Sequence, residues 1–453
     1  MHLILFDHII QLDSLAPVID LLRKEKNKII ILNTNPLYNY NNNKLIKYFK
    51  DKDIKFISFP STNLINKIKI LFLKLITLLP KKQLLKFTGL WFRVGNGHYL
   101  DKDEFIKFIK ENDIKIVSIP NDWQTILTNS SRTYGESNNL DVNKILDDLY
   151  RDSMKLSKKR LLSITFYNLV KELYGVKIAN YVKDAYPYYS EIFVINAYNG
   201  LMMLQGDLSN NNKFYILGGG LSLLIDKMRK DFISSGGKIV LRHELKNLDY
   251  NDEGKFAVKL QNLISYETIV VQCSHLVLAC DGLSLQKMRF LKKFEITDML
   301  KAVQVQPLLR TFAIYDKCWF KDLPKVVTNE MIRYIIPIDY KKGVIMISYT
   351  DGAYAKFWKK LLGNDVQQIK ELNKQLRKLF PNRTIEDPKE IYNYYWEQGA
   401  SYWKPNYNTD KIRDKLLKPT KLNLFICGDS YSSHQAWMEG ALLTSNKLFT
   451  EHF

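Results

Sequence analysis

The chain has 453 residues, too many for one simple core, so two or three domains are expected. Apolar residues make up 46% of it and aromatics 13%, which excludes a disordered or low-complexity chain. The formal charge is +20, but Lys and Arg are scattered, no nucleic-acid motif accompanies them, and a solvated basic surface is expected in place of a nucleic-acid site. Cys273, Cys280, Cys318 and Cys427 form no CxxC pair and have no His at metal-ligand spacing. They read as buried thiols of a reducing compartment, and no metal is expected. Met1 leads straight into an apolar run with no signal peptide, so a cytoplasmic location is expected.

In chain order, residues 2–6 read as a buried strand, 12–24 as a helix with Asp13 or Ser14 as N-cap, and 28–32 as a second strand. The loop between them, Phe6-Asp7-His8-Ile9-Ile10-Gln11-Leu12-Asp13-Ser14, contains no glycine, and the second strand runs into Asn33-Thr34-Asn35. A dinucleotide fold needs glycines in that loop, so that a pyrophosphate can approach the backbone, and an acidic residue after the second strand. Neither is present. Residues 54–59 and 114–119 read as further strands, with 102–112 helical between them, and Gly95-Asn96-Gly97-His98 reads as a turn. The apolar run 68–79 is short and carries Lys69 and Lys74, so it cannot span a bilayer. Residues 66–93, with Lys81, Lys82, Lys86 and Arg93, read as a basic amphipathic stretch that packs on a neighbour or touches a membrane surface peripherally.

Residues 120–150 read as a linker or exposed loop, and 142–157, 161–173 and 177–182 as helices rich in Tyr and Leu. Tyr186, Tyr188 and Tyr189 belong to an aromatic core or line a pocket. At 214–222 an apolar run meets Gly218, Gly219 and Gly220 and then a helix to about residue 234. A turn at Gly236-Gly237 leads to a strand through Leu245, a hairpin-like continuation at 256–260 and 268–272, and a buried strand ending in Ala279-Cys280-Asp281-Gly282. Residues 303–315, 331–337 and 343–349 read as strands of a mixed or antiparallel sheet, and 365–379 as a helix. Next comes Tyr395-Trp396-Glu397-Gln398-Gly399-Ala400-Ser401-Tyr402. The strand 424–427 ends in Gly428-Asp429, and after a polar loop Trp437-Met438-Glu439-Gly440-Ala441 opens a helix to about residue 449. Free N–H groups at such a helix start face whatever lies in front of it.

The last segment, with 214–285 and 395–402, resembles the flavin-containing amine oxidases, the monoamine and polyamine oxidase family, over residues 140–453. The resemblance implies an α/β (α+β) fold: a Rossmann-like FAD/NAD(P)-binding domain with an inserted mixed-sheet and helical substrate domain. Its implied division is an atypical Rossmann-like region at 1–125, helical substrate part at 126–213, FAD-binding-like part at 214–300, mixed-sheet substrate domain at 301–400, and C-terminal FAD-binding-like strand and helix at 401–453. It implies FAD as cofactor. Gly218, Gly219 and Gly220 would open a helix toward FAD, and the backbone near Leu245 would clasp the adenine. Gly428 and Asp429 would hold the ribityl–phosphate part, and Met438, Glu439, Gly440 and Ala441 would lie along the isoalloxazine. Tyr402 and Trp437 would wall an aromatic cage for a small amine-like substrate. Arg310 lies near the position of a family Lys that holds a water against flavin N5, and it keeps the charge but not the point-donor geometry. Ser401 stands where some members carry the cysteine that links to FAD, so the flavin would be non-covalent.

Three functional readings follow. The first is an FAD-dependent oxidoreductase that passes a hydride from an amine, or a related C–H/C–N group, to flavin N5. The second keeps the fold but not the cofactor, leaving a binding or structural protein. The missing glycine loop favours it, and the Asn/Lys/Ile/Tyr bias of an AT-rich genome suits a large DNA virus, in which case a virion is an alternative location. The third is a fusion of a sugar-nucleotide-type α/β module at residues 1–120 with a flavin-like module after it, because Asp7-His8-Ile9-Ile10-Gln11-Leu12-Asp13-Ser14 is weakly similar to the start of some surface-polysaccharide, glycosyltransferase-type proteins.

Overall fold

The computed structural model describes residues 2–6, 29–33, 55–58, 92–94, 116–118, 123–128, 140–207, 213–217 and 222–452. Strands β1 (His2–Phe6), β2 (Ile29–Asn33), β3 (Lys55–Ser58), β4 (Phe92–Val94), β5 (Ile116–Ser118) and β6 (Trp123–Ile126) come first. Helices α1 (Val142–Ser153), α2 (Lys158–Ser163), α3 (Phe166–Ala185), α4 (Ser190–Phe193) and α5 (Ala197–Asp207) follow. Then come β7 (Lys213–Leu217), α6 (Ser222–Ser234), β8 (His243–Tyr250), β9 (Phe256–Asn262), β10 (Thr268–Cys273), β11 (Leu276–Leu278), α7 (Gly282–Lys287) and α8 (Thr297–Leu300). The rest is β12 (Val303–Ile314), β13 (Lys325–Thr328), β14 (Tyr334–Asp339), β15 (Val344–Asp351), α9 (Gly352–Lys359), α10 (Asp365–Leu379), β16 (Glu390–Trp403), α11 (Thr409–Leu417), β17 (Leu424–Ile426) and α12 (Met438–His452).

The chain divides into two compact units. The first takes residues 1–92, 107–117 and 215–273. It holds a parallel sheet in the order β1-β2-β3 and an antiparallel meander β10-β9-β8. The two apolar runs that open the chain are thus parallel neighbours, with His2 opposite Ile29. The glycine-free loop between them, Gly218, Gly219 and Gly220, and all of the basic stretch 66–93 except its last two residues lie outside the described residues. Among the described residues no helix is long and apolar enough to cross a membrane.

The second unit takes residues 93–106, 118–214 and 274–453. Its centre is a six-stranded sheet in the order β16-β12-β15-β14-β13-β6. Leu309, Ala313, Ile345 and Ile347 pack with Trp358 of α9 and Leu372 and Leu376 of α10 in one core. Ala400 and Tyr402 of β16 belong to another, with Phe166, Leu169 and Val182 of α3 and Leu146 and Leu149 of α1. A separate pair of parallel strands, β11 and β17, sets Leu278 beside Ile426.

Several sequence expectations need correction. The presumed linker 120–150 contains β6, which pairs in parallel with β13 at the sheet edge, and the start of α1. Polar flanks hide a four-residue strand whose place is fixed by its neighbour, with Thr128 N donating to Asn329 Oδ1 at 2.9 Å. The helices expected at 161–173 and 177–182 are regrouped. Residues 158–163 form α2, Thr165 caps the next helix, and α3 runs from 166 to 185 across a kink at Gly175, where φ is 84°. The strand expected after Gly237 begins only at His243. Of the four cysteines only Cys427 is buried, while Cys273, Cys280 and Cys318 are half-buried.

Two buried charges tie the helices to the sheet. Arg333, between β13 and β14, is 1% exposed and adopts φ 61°. Its guanidinium donates to the carbonyls of Thr328 at 2.6 Å, Lys183 at 2.9 Å and Asp184 at 3.3 Å, and also to that of Tyr186. These include carbonyls that the end of α3 leaves without helical partners. Asp351, at the end of β15 and also 1% exposed, accepts from the amides of Tyr189 and Ser190, each at 2.8 Å. The arginine thus holds the end of α3, and the aspartate holds the start of α4.

Removing one partner of a buried charged network costs about 3–5 kcal/mol, because the groups left behind are neither paired nor hydrated. Arg333→Leu is expected to lower unfolding stability by about that much, read from the denaturant midpoint. A loss below about 1 kcal/mol, the level of an exposed pair, would contradict the clamp.

Candidate functional site

The clamp presents residues 186–191 to one face of the sheet. Tyr188 meets Tyr349 edge-on at 5.4 Å between ring centroids and Tyr334 at 6.1 Å. Tyr334 and Tyr349 stack at 6.3 Å. Register places Arg310 of β12 between Tyr349 of β15 and Tyr394 of β16. The Arg310 guanidinium lies 4.6 Å from the Tyr349 ring and 6.0 Å from the Trp396 ring, and Nη2 donates to the Tyr349 hydroxyl at 3.2 Å. Face-on contact with aromatic rings suits the weakly hydrated guanidinium. Glu191 of α4, 9% exposed, accepts from the Tyr186 hydroxyl.

Tyr402, one of the two expected cage walls, is 3% exposed and sits opposite Gln304. Burial first, then the carboxylates of Glu191 and Asp351, the Tyr349 phenol and the Asp429 carboxylate, push its hydroxyl well above the ordinary tyrosine value. It therefore stays protonated. Burial, with Tyr349, Tyr334 and Glu191, does the same to Tyr188, which Arg310 partly opposes. Trp437, the other expected wall, is half-buried, and its carbonyl accepts from Gly440 N at 3.0 Å.

The carboxyl ends of β11 and β17 carry the two acidic turns. Asp281 caps α7, accepting from the amides of Leu283 at 2.9 Å and Ser284 at 3.0 Å and from the Ser284 hydroxyl. Gln398, with its amide nitrogen turned to the carboxylate, donates to both Asp281 oxygens at 2.7 Å. Gly282 N donates to Ser430 Oγ at 3.0 Å, and Ser401 Oγ to the same atom at 3.1 Å. Gly428 has φ 137°, and among the described residues a Cβ there would meet only the Cys280 carbonyl oxygen, at 3.8 Å, so these residues leave one side of the turn open. Asp429 accepts from the amides of Ala436 and Ser430, yet burial, joined by the nearby Asp281, holds its carboxyl above the ordinary range. At Gly440 a Cβ would lie 2.2 Å from both the His434 carbonyl oxygen and Ser432 Oγ. Glycine is required there by the chain's own loop.

The structure thus gathers Arg310, Tyr349, Tyr402, Glu191 and Asp429 in the second unit, with Asp281 beside Asp429. Met438 opens α12, followed by Glu439, Gly440 and Ala441, and the Met438 and Glu439 side chains lie outside the described residues. Leu245 is a half-buried residue of the first unit, paired with Leu260. Glu191 and Asp351 carried no local sequence signal. Asp281 did: the run Asp281-Gly282-Leu283-Ser284 has the form of a helix cap.

No family model matches the chain. The uncharacterized protein R188 of Acanthamoeba polyphaga mimivirus is 18% identical over 271 residues, covering 54% of this chain and 52% of that protein. The chain therefore spans about half the length of this curated relative. Among solved structures, cyclohexylamine oxidase from Brevibacterium oxydans IH-35A matches with a TM-score of 0.56 at 13% identity, over 78% of this chain and 86% of that one. The fold is amine-oxidase-like.

A carboxyl whose folded-state pKa is raised binds its proton more tightly in the folded protein, so its contribution to stability falls as pH rises through the interval between the two values. Asp429→Asn is therefore expected to stabilise the ligand-free protein at pH 7, with the gain vanishing toward the ordinary carboxylate value of 3.8. Thermal midpoints across that range test it. Equal midpoints at pH 7 would show that burial does not strain Asp429.

Proposed function

We propose that the chain is an FAD-dependent oxidoreductase of the amine-oxidase type, acting on a small amine or related C–H/C–N substrate. The amine-oxidase-like fold is the observation that carries this reading. The residues at the β17 end fit the ribityl part of a flavin. Gly428 leaves an open side, and the raised carboxyl of Asp429 gains from hydroxyl donors that spread its charge. Ser401, 3% exposed and bonded to Ser430, offers no thiol for covalent attachment, so FAD would be held non-covalently.

Bound FAD would supply hydride acceptance from the carbon beside the substrate nitrogen. The protein's part is to bind and orient. Tyr402 presents a neutral aromatic wall, because its hydroxyl keeps its proton, and Trp437 presents the second. Rings of this kind attract a cationic or flat group through their π faces. Arg310 supplies the fixed positive charge of the cluster, and Glu191 a carboxylate near both Tyr188 and Tyr402.

A second reading, a cofactor-free scaffold of the same fold, is favoured by the glycine-free run 6–14 and by Asn33 at the end of β2.

The proposal is tested by Trp437→Ala and Tyr402→Ala in the flavin-loaded protein. Each is expected to lower kcat/KM for an aliphatic amine about tenfold, the loss of one cation–π contact, with flavin absorbance retained. Unchanged turnover in the double variant would place the substrate elsewhere.

A further inference from the structure

The antiparallel meander of the first unit has edges at β8 and β10, and the sequence treats them differently. A strand edge presents a row of backbone N–H and C=O groups that pair readily with another strand. Such edges are ordinarily blunted by charged side chains, proline or a bulge. β8 is blunted in this way. It carries Glu244, Lys246 and Asp249, and its register with β9 shifts between Leu245 and Asn247. β10 is not. Its sequence, Thr268-Ile269-Val270-Val271-Gln272-Cys273, has no charge and no proline and begins with four β-branched residues in a row, which favour strand pairing. Its register with β9 runs unbroken from Thr268 to Cys273, and among the described residues β10 pairs with β9 alone.

Direct cross-strand partners share a face of a sheet. Val271 lies opposite Val258, Cys273 opposite Phe256, and Leu248 of β8 also opposite Val258. Leu248, Phe256 and Val258 are buried, so this is the core face of the meander. Ile269 and Val271 point to the same face, yet they are 44% and 43% exposed, because the sheet stops at β10. Val270, on the other face, is 58% exposed.

A second copy of the chain completes this edge better than an unrelated strand. A two-fold axis perpendicular to the sheet brings β10 antiparallel to its own copy and keeps the core faces of both copies on one side. With Val270 opposite its own copy, Ile269 faces Val271 on both sides of the axis, and Thr268 faces Gln272. A charge at the axis would face itself, but the strand carries none. The exposed apolar residues then cover one another, and the core face runs on across the axis.

We propose that β10 is a dimerisation edge, through which two copies of this chain pair antiparallel along Thr268–Cys273 and join their three-stranded meanders into one continuous sheet. The blunted edge at β8 leaves each meander one open side, so pairing closes at two copies. The interface stands apart from the flavin reading and holds equally for a cofactor-free scaffold.

The test is sedimentation velocity of the purified full chain, which is expected to show a dimer at micromolar concentration. Val270→Lys sets two ammonium groups opposite each other, and Val270→Glu sets two carboxylates. Each is expected to raise the dimer dissociation constant about tenfold or more, with circular dichroism unchanged. An equimolar mixture of the two variants is expected to recover the dimer, because an ammonium then faces a carboxylate. If either variant fails to fold, Val270→Cys decides: air oxidation is expected to cross-link it into a covalent dimer, while the unsubstituted chain stays uncrosslinked. A monomeric unsubstituted chain, growth beyond the dimer with concentration, an undiminished dimer in folded Val270→Lys, a mixture that stays monomeric, or no cross-link in Val270→Cys would each overturn the proposal.

Discussion

The pair of buried charges at Arg333 and Asp351 is the constraint on which the second unit depends. A break between two helices leaves carbonyls at the end of one and amides at the start of the next. Here the break falls against a sheet, away from water, where an unsatisfied backbone group is costly. The guanidinium takes the carbonyls and the carboxylate takes the amides, so residues 183–190 are fixed from the sheet side. Burial pushes the Asp351 carboxyl up, while its bonds to Ser190 and Tyr189 and the nearby Arg333 push it down. Desolvation is the larger effect, so the clamp secures geometry at some cost in stability.

That geometry is what makes the aromatic face possible. Tyr188 reaches Tyr334 and Tyr349 because the break is held there, and Glu191 follows one short turn later. Arg310 then lies against rings on its own sheet. The acidic turns of β11 and β17 are ordered differently, by the Ser430 hydroxyl that follows β17 and by Ser401 and Gln398 of β16. Two carboxylates, Asp281 and Asp429, are thereby kept near each other at the ends of parallel strands. Such strand ends are where open α/β sheets place their ligands.

Much of the second unit was legible because its signals are local. The apolar runs in 303–315 and 343–349 mark β12 and β15, the helical period of 365–379 marks α10, and the C-terminal run marks β17 and α12. The resemblance built on that run agrees with the amine-oxidase-like fold, and a viral protein is among the sequences to which the chain is similar. What was illegible depends on distant partners. Arg333 meets carbonyls about 150 positions earlier in the chain, and no spacing encodes that. The strand β6 is four residues long and gains its place from β13, some 200 positions later. Arg310 was found by position alone, and its aromatic bed required the register of three strands.

The proposed function requires that this fold hold a flavin although the run 6–14 contains no glycine. It is tested most directly by the absorption spectrum of the purified protein before and after incubation with FAD. Flavin bands in the blue are expected to remain with the protein through gel filtration, without covalent attachment. A colourless protein that takes up no added FAD would contradict it and leave the fold as a scaffold.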